Sequence, residues 1–238
     1  MLSVTTKSGI YNGYKVIGTQ TLGLRGLVLW LKFNEGSGNI AYDSSFYNNH
    51  GTIYGATWTD GKFGKALGFD GVDDYVDCGN DESLNITDEI TIVAWVKPVS
   101  FSTYNFIAKK YEAYTILFYK SKLRFDIKDG GQWRWDTSND YAPPGGFQLG
   151  QWYFVAGTYD GSVIKLYLNG DYVAHTDYTG DIDATAKNLY IGANTTTPPT
   201  HFFDGLIDEV RIYNRALSKN EIKMLYYNRI GAVPSKAI

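Results

Sequence analysis

From about residue 26 onward, apolar residues come in short runs separated by clusters of Gly, Asn and Asp. That pattern predicts short strands joined by tight turns. Leu27 to Phe33 is the first strongly apolar strand and stops at Asn34-Glu35-Gly36-Ser37-Gly38. After a polar loop from Asp43 to His50, short strands are expected near 52–60, then at Lys65 to Phe69 and Tyr75 to Cys78. Ile90 to Lys97 is apolar on both faces, as a central strand is, and Pro98 ends it. Segments 104–109, 114–119, 122–128 and 132–137 read as a meander. Within it Leu123, Phe125 and Ile127 alternate with Arg124, Asp126 and Lys128, and Asp129-Gly130-Gly131 makes a turn. Trp152 to Tyr159 and Val163 to Asn169 form a hairpin, followed by strands at Tyr172 to Asp177 and Leu189 to Ala193.

The last strand, in Phe203 to Tyr213, is read with period 2. Leu206, Val210 and Ile212 share its apolar face, Glu209 and Arg211 point away, and Asp208 falls among the apolar residues. A carboxylate placed there must accept hydrogen bonds, pair with a cation or bind a metal to offset its desolvation. Ser218-Lys219-Asn220-Glu221 then reads as a capping box, and Ile222, Leu225 and Tyr226 recur as the buried stripe of one short C-terminal helix. Residues 1–25 are polar and rich in Gly and Thr, and are read as an extension or extra edge strand. One domain is expected from 26 to 230, with 231–238 as a tail.

Composition narrows the function classes. The 238 residues carry 22 basic and 25 acidic side chains, a net charge of −3 without basic runs, which argues against nucleic acid as a partner. No apolar run is long enough to span a bilayer, and no signal peptide is visible at the N-terminus. The single cysteine, Cys78, excludes an intramolecular disulfide and is read as buried packing. Aromatic residues make up 16% of the chain, and that excess favours strands.

Several blocks in order carry a resemblance: Gly26 to Gly38, Asp43-Ser44-Ser45, His50-Gly51-Thr52, Gly61 to Ala66, Phe69 to Val76, Ile92 to Pro98, Gly150 to Val155, Leu166 to Gly170 and Phe203 to Ser218. Together they resemble the laminin G-like jelly rolls of the concanavalin A-like lectin/glucanase superfamily. The resemblance implies an all-β sandwich of two curved antiparallel sheets. It also implies an extracellular, cell-surface or virion-surface setting. Related glucanases hold a structural calcium ion. Carried over to this chain, the resemblance implies Asp208 as side-chain ligand, with carbonyls around Asn34 or Glu35 and around Asp70 or Gly71. The competing reading is that Asp208 accepts backbone amides or pairs with Arg211 or Arg215. Asp70, Asp73, Asp74 and Asp77 are dense but lack the fixed spacing of a calcium loop.

A fold that hosts lectins, adhesion domains and enzymes leaves function to the site residues. Sugar sites stack a ring on exposed aromatics beside polar side chains. Trp133 and Trp135, with Asn139, Tyr111 and Tyr141 in neighbouring segments along with Tyr104 and Tyr114, form such a platform if their face is open. If it faces inward, they are core. The paired-carboxylate strand motif of the superfamily's glycosidases is missing, Asp126 and Asp129 being its nearest imitation, and His50, His175 and His201 are scattered. The sequence therefore reads as a non-catalytic module for a glycan or glycoprotein, with protein–protein adhesion or homo-oligomeric assembly as the alternative and a glycan-active enzyme as the third reading.

Overall fold

The computed structural model describes residues 9–11, 14–16, 24–134, 140–194, 196 and 198–227. In chain order the strands begin with β1 (Gly9–Tyr11), β2 (Tyr14–Val16), β3 (Leu27–Leu31), β4 (Ile40–Ala41), β5 (Gly51–Tyr54) and β6 (Thr57–Asp60). Next come β7 (Lys65–Asp70), β8 (Tyr75–Asp77), β9 (Ile90–Pro98), β10 (Tyr104–Lys110), β11 (Tyr114–Tyr119) and β12 (Lys122–Asp129). The chain closes with β13 (Gln132–Arg134), β14 (Tyr153–Tyr159), β15 (Val163–Leu168), β16 (Asp171–Asp177), β17 (Leu189–Ile191), β18 (Asp204–Tyr213) and the helix α1 (Lys219–Tyr226). Among the described residues β1 and β2 pair with each other in a sheet of two strands.

Two antiparallel sheets make the body. The first runs β13-β12-β11-β10-β17-β8-β5-β4, the second β16-β15-β14-β9-β18-β7-β6, with β3 also on β18. The main core lies between them. Leu123, Phe125 and Ile127 of β12 lie over β14 and β15, in one buried cluster with Val155 and Tyr159 of β14, Ile164 of β15 and Ile92, Ala94 and Val96 of β9. Gly157 on β14 is required by this contact: a Cβ there would stand 2.2 Å from the Phe125 ring. The other face of the second sheet carries a smaller core, in which Val93, Trp95 and Phe154 are covered by Ile222 and Leu225 of α1. That explains why β9 is apolar on both faces. The capping box forms as expected, the Ser218 hydroxyl and the Glu221 carboxylate each satisfying an otherwise free backbone N–H.

β18 departs from simple alternation. It pairs with β9 on one side, while on the other its partner changes from β7, opposite residues 204–207, to β3, opposite residues 210–213. At the change the register against β9 slips between Asp208 and Arg211, and Glu209 takes a left-handed φ of 53°. This bulge shifts the phase of the strand. Ile207, Val210 and Ile212 enter the main core, whereas Leu206 is only half-buried. Asp208 stands opposite Trp95 on the outer face, not among the core residues where strict period 2 puts it.

Candidate functional site

Cross-strand register decides which residues meet on the open face of the first sheet. Asp126 lies opposite Thr115, Thr115 opposite Lys109, and Lys128 opposite Trp133. With Leu123, Phe125 and Ile127 in the core, the alternate residues Arg124, Asp126 and Lys128 must point outward. Trp133 joins them on that face. Arg124, Asp126 and Trp133, with Lys109, Thr115, Phe106, Leu117, Asn194 and His201, line a cavity of about 230 Å³ open to solvent.

The polar groups of this cavity are buried to an unusual degree for an open face. Arg124 and Asp126 are each only 6% exposed and Lys109 7%. Arg124 is held by Asp140 through two hydrogen bonds of 2.7 and 2.5 Å, a planar fork on a carboxylate. Its guanidinium also stacks on Tyr119, 4.1 Å from the ring centre. Lys109 is walled by rings instead, its ammonium 4.3 Å from Phe106, 4.8 Å from Trp133 and 5.4 Å from Tyr111. Such contacts favour the cation without using its hydrogen-bond donors. Burial pushes Lys109 down to about 8 even though the nearby Asp126 pulls it up.

Asp126 completes the set. Among the described residues its Oδ1 is buried without a hydrogen-bond partner, as is Oδ1 of Asn194. Desolvation raises its pKa to about 8 against the opposing charges of Arg124 and Lys109. The carboxyl therefore holds its proton near neutral pH and presents both a donor and an acceptor. A ligand with several hydroxyls satisfies what the protein leaves unpaired here, and the Trp133 ring supplies an apolar wall.

The aromatic residues expected to form a platform divide. Trp133 borders the cavity, and Tyr111 is linked to it through Lys109. Tyr104 also lines the cavity. Tyr141 does not belong: it bridges to Leu123 and packs against the main core. Nor does Tyr114, fully buried with its hydroxyl donating to the Leu84 carbonyl at 2.9 Å. Both sit on the inward side of the alternation. Trp135 and Asn139 lie outside the described residues. Lys109, Arg124, Asp126, Asn194 and His201 were not singled out as ligand contacts from the sequence. The alternation of β12 signalled Arg124 and Asp126, but nothing local signalled the others, which distant strands bring in.

The residues expected to hold calcium also divide. Asp208 is fully buried, and its Oδ2 accepts the backbone N–H groups of Lys62 and Phe63 at 2.9 and 3.0 Å. Among the described residues its Oδ1 has no hydrogen-bond partner, and desolvation raises its pKa to about 7 despite the backbone amides of Phe63, Lys62 and Glu209. Asn34 grips the same turn from another side, accepting from the Lys65 N–H at 2.7 Å. Gly61 is needed there, since a Cβ would lie 2.4 Å from the Lys65 carbonyl oxygen and 2.8 Å from Asp208 Oδ2. Glu35 instead accepts the Tyr42 N–H. Asp70 and Gly71 are elsewhere: Asp70 pairs with Asp204, four positions along β18 from Asp208, about 13 Å at strand rise. The five residues therefore do not close into the single shell of six to eight oxygens that calcium takes. The bulge and the long β18 separate them. Asp70, Asp73 and Asp74 form an acidic turn of their own, their carboxylate oxygens within 4.8 Å of one another, with Asp74 accepting the Asp70 N–H.

The polar loop after β4 is structural. Asp43 accepts N–H groups from Trp30, Ser45 and Asn49 and the Ser45 hydroxyl, which ties the loop to β3. Cys78 is buried, as expected.

Comparison with known structures agrees with this architecture. Domain 4 of AbnA, a GH43 extracellular arabinanase from Geobacillus stearothermophilus, superposes with a TM-score of 0.67 at 23% identity, over 84% of this chain and 98% of that one. That domain was solved in complex with arabinotriose. The binding domain of Paraclostridial Mosquitocidal Protein 1 gives 0.66 at 17% identity over 89% of this chain, and that of botulinum neurotoxin serotype G gives 0.64 at 14% over 85%. The chain spans about half the length of these toxin domains, 54% and 51%. No curated protein sequence matches it. The family model described as the concanavalin A-like lectin/glucanases superfamily matches residues 70–223, more than half of the chain. The chain belongs to that superfamily.

Proposed function

We propose that the chain is a non-catalytic carbohydrate-binding module working outside the cell, with its sugar site in the open-face cavity of β10 to β13. One observation carries this reading. Unpaired polar atoms of Asp126 and Asn194 converge there with the donors of Lys109, beside the Trp133 ring. Hydroxyls of a sugar satisfy both kinds of group, and its apolar face suits the ring. The cavity, at about 230 Å³, is smaller than the roughly 300–1,000 Å³ of drug-sized sites. It suits one sugar residue. The arabinotriose bound by the AbnA domain supports the ligand class, since that domain shares the fold over nearly its whole length.

The test is a glycan array probed with the purified chain and with Trp133→Ala and Asp126→Ala. The reading expects a glycan signal that both variants lose while their far-UV spectra stay unchanged. Binding to no glycan, together with an oligomer that grows with protein concentration, would overturn it in favour of an assembly module.

A further inference from the structure

The cavity is one end of a longer surface. Lys109, at its wall, lies opposite Tyr190 of β17, Tyr190 opposite Asp77 of β8, and Asp77 opposite Thr52 of β5. Directly opposed residues of antiparallel strands share a face, so this row continues the open face across the sheet. Val76, Ile53 and Ile191, one position away, fill the core on the other side. Tyr75 stands two positions from Asp77 and opposite Tyr54, which places three tyrosines on adjacent strands. Their rings form a ladder, Tyr54 to Tyr75 at 4.7 Å and 12°, Tyr75 to Tyr190 at 5.1 Å and 35°. Packed ring against ring, they stand on edge, and Tyr54 at the far end is 45% exposed. Among the described residues none of the three phenol groups has a hydrogen-bond partner.

Resting on the sugar-binding reading above, we infer that the ligand is a linear oligosaccharide lying across the strands, one unit in the cavity and later units on the Tyr190–Tyr75–Tyr54 ladder. From β10 to β5 the sheet advances three strand spacings, about 14 Å, well beyond what the cavity holds. The ladder offers a ring edge and a phenol group at each strand. Asp77, fixed by two 3.0 Å contacts from the Asn188 amide, adds carboxylate acceptors beside it. That repeating mixture of apolar edge and hydroxyl-binding group matches a chain of sugars, and its continuity with the cavity sets the direction of the chain.

The experiment is calorimetric titration with arabino-, xylo- and cello-oligosaccharides, each from the monosaccharide to the hexasaccharide. In the series that binds, affinity should rise about tenfold or more from monosaccharide to trisaccharide. Tyr54→Ala and Tyr75→Ala should each weaken the tetrasaccharide about tenfold and leave the monosaccharide unchanged. Tyr75→Phe keeps the ring stack and separates the hydroxyl's share from any loss of packing. Equal affinity at every length, with both alanine variants binding like the parent and Trp133→Ala still abolishing binding, would overturn the ladder and leave the cavity standing. No binding in any series, matched by a blank array, would overturn the sugar-binding reading and the ladder with it.

Discussion

Replacing Asp126 with asparagine should stabilise the domain, and by more as pH rises. Asp126 sits almost fully buried with one oxygen unpaired, and desolvation raises its pKa from 3.8 to about 8. A folded pKa above the unfolded one means that the native state binds the extra proton between those values. Unfolding then becomes easier as pH rises through the window from about 4 to about 8, by up to about 1.4 kcal/mol per pH unit. Asparagine keeps the shape and removes the titration. The gain expected is about 1–2 kcal/mol near pH 5 and about 4 kcal/mol near pH 7, before a constant offset for the buried amide. Lys109 adds in the same direction. Its folded pKa of about 8 lies below the usual lysine value and is supported by Asp126. Without that carboxylate it releases its proton sooner, and a depressed lysine gains stability as pH rises above its folded pKa. Asp208, with a pKa near 7, titrates in both proteins and cancels from their difference. The assay is urea unfolding followed by tryptophan fluorescence, for parent and variant, from about pH 5 to about pH 8. The pH slope of the difference is the diagnostic quantity, because the offset does not affect it. A difference that stays flat across that range would refute the reasoning.

Other parts of the structure give further expectations. Arg124→Ala leaves the Asp140 carboxylate buried and unpaired (its side chain is 4% exposed), so it should cost about 3–5 kcal/mol in the same unfolding assay. Gly157→Ala drives a methyl group into the Phe125 ring, and a loss of about 2 kcal/mol or more in stability should follow. Asp208→Ala frees the amides of Lys62 and Phe63, a loss of about 2 kcal/mol that should shrink as pH rises from about 4 to about 7, because the variant also loses a carboxyl whose pKa is raised by burial. Thermal melts with calcium and with chelator should show that loss equally. A loss seen only with calcium would assign the unpaired Asp208 oxygen to the ion.

Most strands were legible because alternation is strong where one face is core, as in Leu123, Phe125 and Ile127. The outward side of the same strand could also be read, and the Gly130-Gly131 turn sets Lys128 against Trp133, which puts Trp133 on the open face. The β18 bulge was not legible. Asp208-Glu209 contains no glycine to mark it, yet Glu209 takes a left-handed φ, and the phase of every later residue shifts. That one residue moved Asp208 from the core face to the outer one. Lys109, Asn194 and the tyrosine ladder escaped for a different reason. They depend on which strands neighbour each other, and β17 between β10 and β8 joins positions more than a hundred residues apart in sequence. Tyr141 and Tyr114 misled because an aromatic residue looks the same from either side of a sheet until its register is known.

The central claim is the location of the sugar. Backbone and side-chain NMR shifts, recorded while titrating an oligosaccharide that the array identifies, test it most directly. The account predicts that the perturbed resonances cluster at Lys109, Thr115, Asp126, Trp133 and Asn194, on the open face of the first sheet. Perturbations confined to the loops around Asp43 and Asp70 would contradict it.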